Sequence, residues 1–318
     1  MRSPRAVAAA CAVTVAFAAA LVACGGERRG PAPLATTTSA ATSGQAATGQ
    51  PRVPGAASAA SATLTRHPVV LIHGMAGFAQ LGPVSYFNGV PDRLRAIGCE
   101  VLVTQSSPIH TSAHRALEIR DQLLRAFPDP AVRLNLIGHS QGGLDARYLI
   151  SSLGLGDRVA SLTTIGTPHR GSPVADLALG LIPGNTQVAI DALLNQLGLD
   201  WHQIADLSTL QARAVFNPQN PDDPRVYYQS FAGVADFPGS PGHAKLQPLL
   251  FASFPIVSVF EGPNDGLVST GSAQWGSYRG TIPCDHAGEI GWTQAQPGGF
   301  DHLAFYEELA RDLARRGF

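Results

Sequence analysis

Between Arg66 and Phe318 the hydrophobic positions change period repeatedly, and each change predicts an element. His67–His73 (HPVVLIH) is an unbroken apolar run, the pattern of a strand covered on both faces. It runs into Gly74-Met75-Ala76-Gly77-Phe78, a glycine-rich loop. Pro91–Ile97 predicts a short helix, and Glu100–Thr104 a second strand. Ser112–Phe127 sets Ala116, Ile119, Leu123 and Leu124 on one face and ends at Pro128, which predicts an amphipathic helix. Val132, Leu134, Leu136 and Ile137 make a third strand. That strand turns through Gly138-His139-Ser140-Gln141-Gly142 into Leu144–Ser152, where Leu144, Tyr148 and Leu149 recur at helical spacing. Val159–Ile165 predicts another strand, leading into Gly166-Thr167-Pro168-His169-Arg170-Gly171. Ile256–Phe260 and Ser277–Ile282 predict two last strands, and Leu303–Arg315 a closing helix with Phe305, Leu309 and Leu313 inward. Strands alternating with helices predict an α/β fold with a mostly parallel sheet, whose ligands gather at the carboxyl ends of the strands. His73, Ser140 and His169 fall at such ends.

Two internal stretches break the alternation. Asp176–Leu210 is largely apolar (Leu177, Leu179, Leu181, Ile182, Val188, Ile190, Leu193, Leu194, Leu197, Leu199) yet divided by proline and glycine. It reads either as core helices of an inserted subdomain or as a helical lid over a site. Phe216–Leu250, with Pro, Gly and Asp throughout, reads as loop.

The N-terminus has a different character. Arg2 and Arg5 precede an alanine-rich apolar run, Ala6–Val22, which fits a secretory signal. Its 17 residues barely span a bilayer, so an uncleaved membrane helix is disfavoured. Leu21-Val22-Ala23-Cys24-Gly25 resembles the lipobox of bacterial lipoproteins. That resemblance implies loss of residues 1–23 and a lipidated Cys24; an ordinary signal peptide is the alternative. Residues 24–66, rich in Ala, Thr, Ser, Gly and Pro, bury too little to fold and read as a disordered tether reaching roughly 35 Å. Residues 67–318 are then the folded domain. The expected location is outside the cytoplasm, anchored to a membrane at the cell envelope or else secreted.

With 318 residues and 45% hydrophobic content the chain can bury one large core. A net charge of -1 leaves no basic footprint, which argues against a nucleic-acid partner. Cys99 and Cys284 remain in the folded domain; one opens a strand and the other follows a strand at the far edge, so both are expected unpaired.

A serine at a strand-to-helix turn is lifted out of the sheet on a strained backbone. Gly138 and Gly142 flank Ser140 because side chains there would collide as strand and helix close on each other. The Gln141 N–H, opening the helix, points to where an oxyanion would form. Such a serine needs a histidine to take its proton and a carboxylate to hold that histidine. Asp265, in Asn264-Asp265-Gly266, and His286, past the last strand, stand in the order Ser, Asp, His. His302, at a helix start, reads as structural, and His243 has no strand behind it. Asp285 adjoins His286, but adjacent residues rarely face each other, and Asp301 has no comparable placement. Met75 is placed to give a second oxyanion N–H.

His73-Gly74-Met75-Ala76-Gly77-Phe78, the Gly138–Gly143 box, Ile165–Ser172 (IGTPHRGS) and Asn264–Val268 (NDGLV) resemble, in order and spacing, the true lipases of Pseudomonas and Burkholderia. The resemblance runs from about Arg66 to the C-terminus, with looser matches at Tyr86–Pro91 and Phe216-Asn217. It implies an α/β-hydrolase fold, hydrolysis of triacylglycerols or other carboxylic esters, Ser140, Asp265 and His286 as triad, and Met75 and Gln141 as oxyanion donors. Short-chain esterase, polyester depolymerase and acyltransferase are alternatives on the same triad. The sequence also departs from that family. Its calcium is held partly by an aspartate two residues after the catalytic histidine, where this chain has Gly288, and by one before the triad aspartate, where none lies between Asp236 and Asp265. No metal or cofactor is therefore expected. Gly271 replaces a cysteine that some members pair. Those lipases often need a foldase, a requirement the sequence leaves open.

Overall fold

The computed structural model describes residues 63–81, 84–182, 204–236, 246–292 and 299–318. In chain order the strands are β1 (Val69–Ile72), β2 (Gln80–Leu81), β3 (Val84–Ser85), β4 (Val101–Val103), β5 (Leu134–His139), β6 (Val159–Ile165), β7 (Tyr227–Gly233) and β8 (Ser277–Ile282). The principal helices are α1 (Val90–Ala96), α2 (Ser112–Ala126), α3 (Gln141–Ile150), α4 (Pro173–Ala178), α5 (Phe254–Glu261) and α6 (His302–Arg315). Six strands form one parallel sheet in the order β4-β1-β5-β6-β7-β8, while β2 and β3 make a small antiparallel pair. This is the α/β-hydrolase fold, with short helical segments at Pro173–Ala178 and over residues 205–219 between β6 and β7.

Alternation explains why β1 is apolar throughout. Val69 and Leu71 join the core under α1 and α6, with Phe87, Leu94, Tyr306 and Leu309. Val70 and Ile72 face the opposite way and pack with Ala116, Ile119 and Leu149 from α2 and α3. Both faces of β1 are covered by these layers, so neither is left for polar residues.

Four expectations need correction. Ile256–Phe260 is not a strand but most of α5; a short β-branched run has no decisive period, and here Ile256 and Val257 bury against α4 while Val259 and Phe260 face outward. The strand it was expected to supply is β7, inside the stretch read as loop. Its sequence YYQSFAG mixes polar residues into the run because Gln229 and Ser230 are satisfied within the sheet region, Gln229 by Thr163 Oγ1 at 2.9 Å and Ser230 by the Trp275 carbonyl at 2.8 Å. On α2, Leu124 is exposed, while Ala116, Ile119 and Leu123 are buried as expected. In α6 the inward set is Tyr306, Leu309 and Leu313, with Phe305 only packed against its margin.

Cys99 and Cys284 are free and buried, although they share one core cluster. The ends of the Asp176–Leu210 stretch are joined by Asp176, whose carboxylate accepts from Thr209 N at 2.8 Å and Oγ1 at 2.7 Å. Its middle, residues 183–203, lies outside the described residues, as do residues 1–62 with Cys24, and His243. Among the described residues no helix is long and apolar enough to cross a membrane.

Candidate active site

Ser140 sits between β5 and α3 with φ 54° and ψ -132°, a conformation that L-residues rarely adopt and that costs about 1–3 kcal/mol. Three hydrogen bonds hold the turn: Ser140 N to the Ile165 carbonyl (3.0 Å), Gly143 N to the Ser140 carbonyl (3.1 Å), and Thr167 Oγ1 to that same carbonyl (2.8 Å). Close packing explains the flanking glycines. A Cβ on Gly142 would strike the Ile72 and His73 carbonyls, and one on Gly138 would stand 2.7 Å from Gly143.

Asp265 and His286 meet. His286 Nδ1 lies 2.8 Å from Asp265 Oδ2, and Asp265 Oδ1 accepts from Leu267 N (2.8 Å) and Val268 N (2.7 Å). The carboxylate is thus fixed on one oxygen and offered on the other, which leaves the Nδ1–H tautomer of His286 favoured and Nε2 free to take a proton. Contrary to expectation, Asp265 follows a helix, α5, and not a strand. The His286 ring packs 4.6 Å from that of His139, the residue before Ser140, which sets His286 beside the serine turn.

The Met75 loop lies against the serine turn: a Cβ on Gly74 would stand 2.6 Å from Ser140 Cβ. Ala76 N bonds the Pro108 carbonyl (2.7 Å) and Gly77 N the Gly74 carbonyl (3.2 Å). The Met75 and Gln141 N–H groups take no partner among the described residues. Ala76 in this loop has positive φ (55°), the same strain that Ser140 carries in its own turn. Arg115, fully buried, pins the end of β1: Nη2 reaches the His73 carbonyl (2.6 Å) and Nε the Asp145 carboxylate (2.7 Å). Burial pushes the Asp145 carboxyl up to about 6, with the Arg115 charge opposing.

The competing residues have other work. His302 Nε2 pairs with the Asn88 carbonyl (2.8 Å), Asp301 caps α6 through Ala304 N (3.0 Å), and Asp285 accepts from Gln247 N and Gly288 N (2.7 Å each). His73 and His169 at strand ends are structural. Ser106 N donates to His73 Nε2 (3.1 Å), so Nδ1 donates to the Gly74 carbonyl (2.9 Å), and burial holds this ring down to about 3. His169 is buried against Thr164 Oγ1 (2.9 Å) and Trp275.

Sequence reasoning missed two residues. Glu289, fully buried, places Oε2 2.8 Å from His139 Nε2 and 3.6 Å from His286 Nδ1. His139 Nδ1 in turn lies 2.7 Å from the Tyr86 hydroxyl. Burial, then the nearby Asp265 charge, push the Glu289 carboxyl well above the usual carboxylate range, and burial pushes the His139 ring well below its own. The available signal was spacing, since Glu289 stands three residues after His286. His139, His286 and Glu289 are the metal-ligand-like group found among the described residues, but their facing atoms are engaged with one another, Tyr86 and Asp265. The residues do not fit the calcium the resemblance implies: Gly288 offers no side chain, and both Asp285 oxygens are spent on backbone N–H groups.

A sharp-turn serine, a paired Asp and His, and two unspent N–H groups on a parallel α/β sheet define a serine-hydrolase scaffold. Comparison with known proteins agrees. The chain is 34% identical over 287 residues to a triacylglycerol lipase of Vibrio cholerae, covering 80% of this chain and 90% of that one. It is 32% identical over 267 residues to triacylglycerol lipase 2 of Saccharomyces cerevisiae, covering 76% and 77%. A family profile described as palmitoyl protein thioesterase matches residues 68–217. Among solved structures, the mature lipase BlEst2 of Bacillus licheniformis superposes with a TM-score of 0.60 at 22% identity, over 77% of this chain and 91% of that one. The chain belongs to the lipase and esterase family of α/β-hydrolases.

Proposed function

We propose that this protein is a triacylglycerol lipase akin to the true lipases of Pseudomonas and Burkholderia, working through an acyl-enzyme on Ser140. The observation that carries the reading is the 2.8 Å pair of His286 Nδ1 and Asp265 Oδ2 beside the strained Ser140 turn. In this mechanism His286 Nε2 takes the Ser140 proton as Oγ attacks the ester carbonyl, and Asp265 stabilises the imidazolium. The Met75 and Gln141 N–H groups receive the oxyanion. His286 then gives its proton to the leaving alcohol, and water repeats the sequence to release the acid. Met75 packs against Val174, Leu177, Ile256 and Val257, an apolar wall suited to an acyl chain. Cys24 as a lipidated anchor, with residues 24–66 as leash, belongs to the same proposal.

A second reading, hydrolysis of long-chain acyl thioesters, is favoured by the profile match over residues 68–217. It uses the same acyl-enzyme with a thiolate leaving group. The test is a chain-length series of nitrophenyl esters, run below and above substrate solubility, beside an emulsified triacylglycerol and a palmitoyl thioester. Ser140→Ala should abolish turnover and organophosphonate labelling, with a loss on the order of 10⁴–10⁶ in kcat. Wild-type turnover in Ser140→Ala would overturn the mechanism; preference for the thioester would select the second reading.

A further inference from the structure

Tyr86 lies at the junction of the two halves of the site. Its hydroxyl accepts from Gly74 N at 3.1 Å, one residue before the Met75 N–H, and stands 2.7 Å from His139 Nδ1. The residue is 7% exposed, and His139 and Glu289 behind it are 1% and 0% exposed. Because the phenol oxygen already receives the Gly74 proton, its own proton is best placed on His139 Nδ1. His139 then carries its proton on Nε2 and donates it to Glu289 Oε2, 2.8 Å away. With Glu289 as the carboxylate, every donor in the chain has an acceptor in this order. In the reverse order the Tyr86 hydroxyl proton would lack one of these acceptors, a costly arrangement in a buried site. The end of the chain, Glu289 Oε2, lies 3.6 Å from His286 Nδ1.

The surroundings are built to hold this ring in place. A Cβ on Gly74 would stand 2.8 Å from the Tyr86 hydroxyl, and one on Gly77 would be as close to its ring, so the loop backbone closes directly onto the phenol. Phe78 and Phe87 meet the ring edge-on, at centroid distances of 6.2 Å and 5.2 Å, and Trp292 Nε1 donates to the Tyr86 carbonyl at 2.8 Å.

We propose that Tyr86 is a positioning residue: its hydroxyl, by accepting from Gly74 and donating to His139, ties the oxyanion loop to the histidine base through a buried chain of fixed proton order. This rests on the reading of Ser140, His286 and Met75 given above. The chain holds the His73-Gly74-Met75 peptide and the His139–Glu289 pair in one register, so that donor and base share a geometry. Such coupling acts on the transition state, where loop and base are needed together, more than on substrate binding.

The test is Tyr86→Phe, which keeps the ring and its packing and removes one oxygen. In the wild-type protein labelled with ¹⁵N-histidine, His139 should appear as the neutral Nε2–H tautomer, assigned by its loss in His139→Gln. With the preferred ester, Tyr86→Phe should lower kcat by roughly tenfold to a hundredfold with KM changed less than about threefold. Affinity for a trifluoromethyl ketone, which forms the oxyanion adduct on serine, should fall by a similar factor. Tyr86→Phe and Glu289→Gln should be non-additive in a double-mutant cycle. An Nδ1–H tautomer of His139 would overturn the proposal, even if Tyr86→Phe failed to fold. So would unchanged kcat and ketone affinity in the variant, or strictly additive effects. Absence of labelling and turnover in the wild type would instead overturn the ester-hydrolase reading, leaving the tautomer result to decide the proton order.

Discussion

His286 is bound to Asp265 twice: its backbone N–H donates to the Asp265 carbonyl at 2.9 Å, while its ring Nδ1 meets the Asp265 carboxylate at 2.8 Å. The backbone bond fixes the separation of the two loops, and the side-chain bond fixes the ring within it. Preorganisation of this kind leaves little reorganisation for the reaction itself.

That double link separates His286 from the other histidine near it in sequence. His286→Ala should cost as much as loss of the serine, on the order of 10⁴–10⁶ in kcat. His302, bonded to the Asn88 carbonyl at the start of α6, should give an alanine variant within about twofold of wild-type turnover. Steady-state assays of the two variants decide it; a loss confined to His302→Ala would reassign the base.

Stability should fall with acid in two phases, shallow and then steep. His73 is held down to about 3, and His139 and His169 well below their ordinary value, because burial disfavours the imidazolium. The unfolded chain therefore binds their protons below about pH 6.5 while the native state does not, and stability falls as pH falls. Asp145, raised to about 6, and Glu289 work the other way until the unfolded carboxyls also protonate near pH 4. The decline should be shallow between about pH 6.5 and 4.5 and steepen below, approaching about 4 kcal/mol per pH unit if all three histidines contribute. Melting temperature against pH, with proton uptake measured on unfolding, tests this. A flat profile between about pH 4.5 and 3.5 would contradict it.

Chelation should leave activity and melting temperature unchanged. Calcium prefers six to eight oxygen ligands, and Gly288 and the committed Asp285 cannot supply the carboxylates of the expected site. Thermal melts with EDTA, and with calcium restored, provide the check; a drop reversed by calcium would show a site built from other residues.

Membrane attachment should depend on Cys24. The wild-type protein expressed in a bacterial host should fractionate with membranes, and Cys24→Ser should not, with equal catalysis in both. Each buried CH₂ of an acyl chain contributes about 0.8 kcal/mol, and stable attachment takes more than one chain. Equal soluble amounts of the two forms would favour an ordinary signal peptide.

The sequence by itself determined the parallel α/β scaffold and the identity of Ser140, Asp265 and His286 as candidates, because both rest on local signals. Unbroken apolar runs mark doubly covered strands, and glycines mark the turn where β5 meets α3. His302 could also be set aside from its place at a helix start. Short runs without a clear period were beyond it: α5 took the place of an expected strand, and β7 lay in an expected loop, since only the slot beside β6 decides which segment pairs. Tertiary structure alone revealed Tyr86, His139 and Glu289 as one buried chain. Their roles depend on contacts across 53 and 150 positions of sequence, and a histidine or glutamate carries no local mark of the partner that will desolvate it.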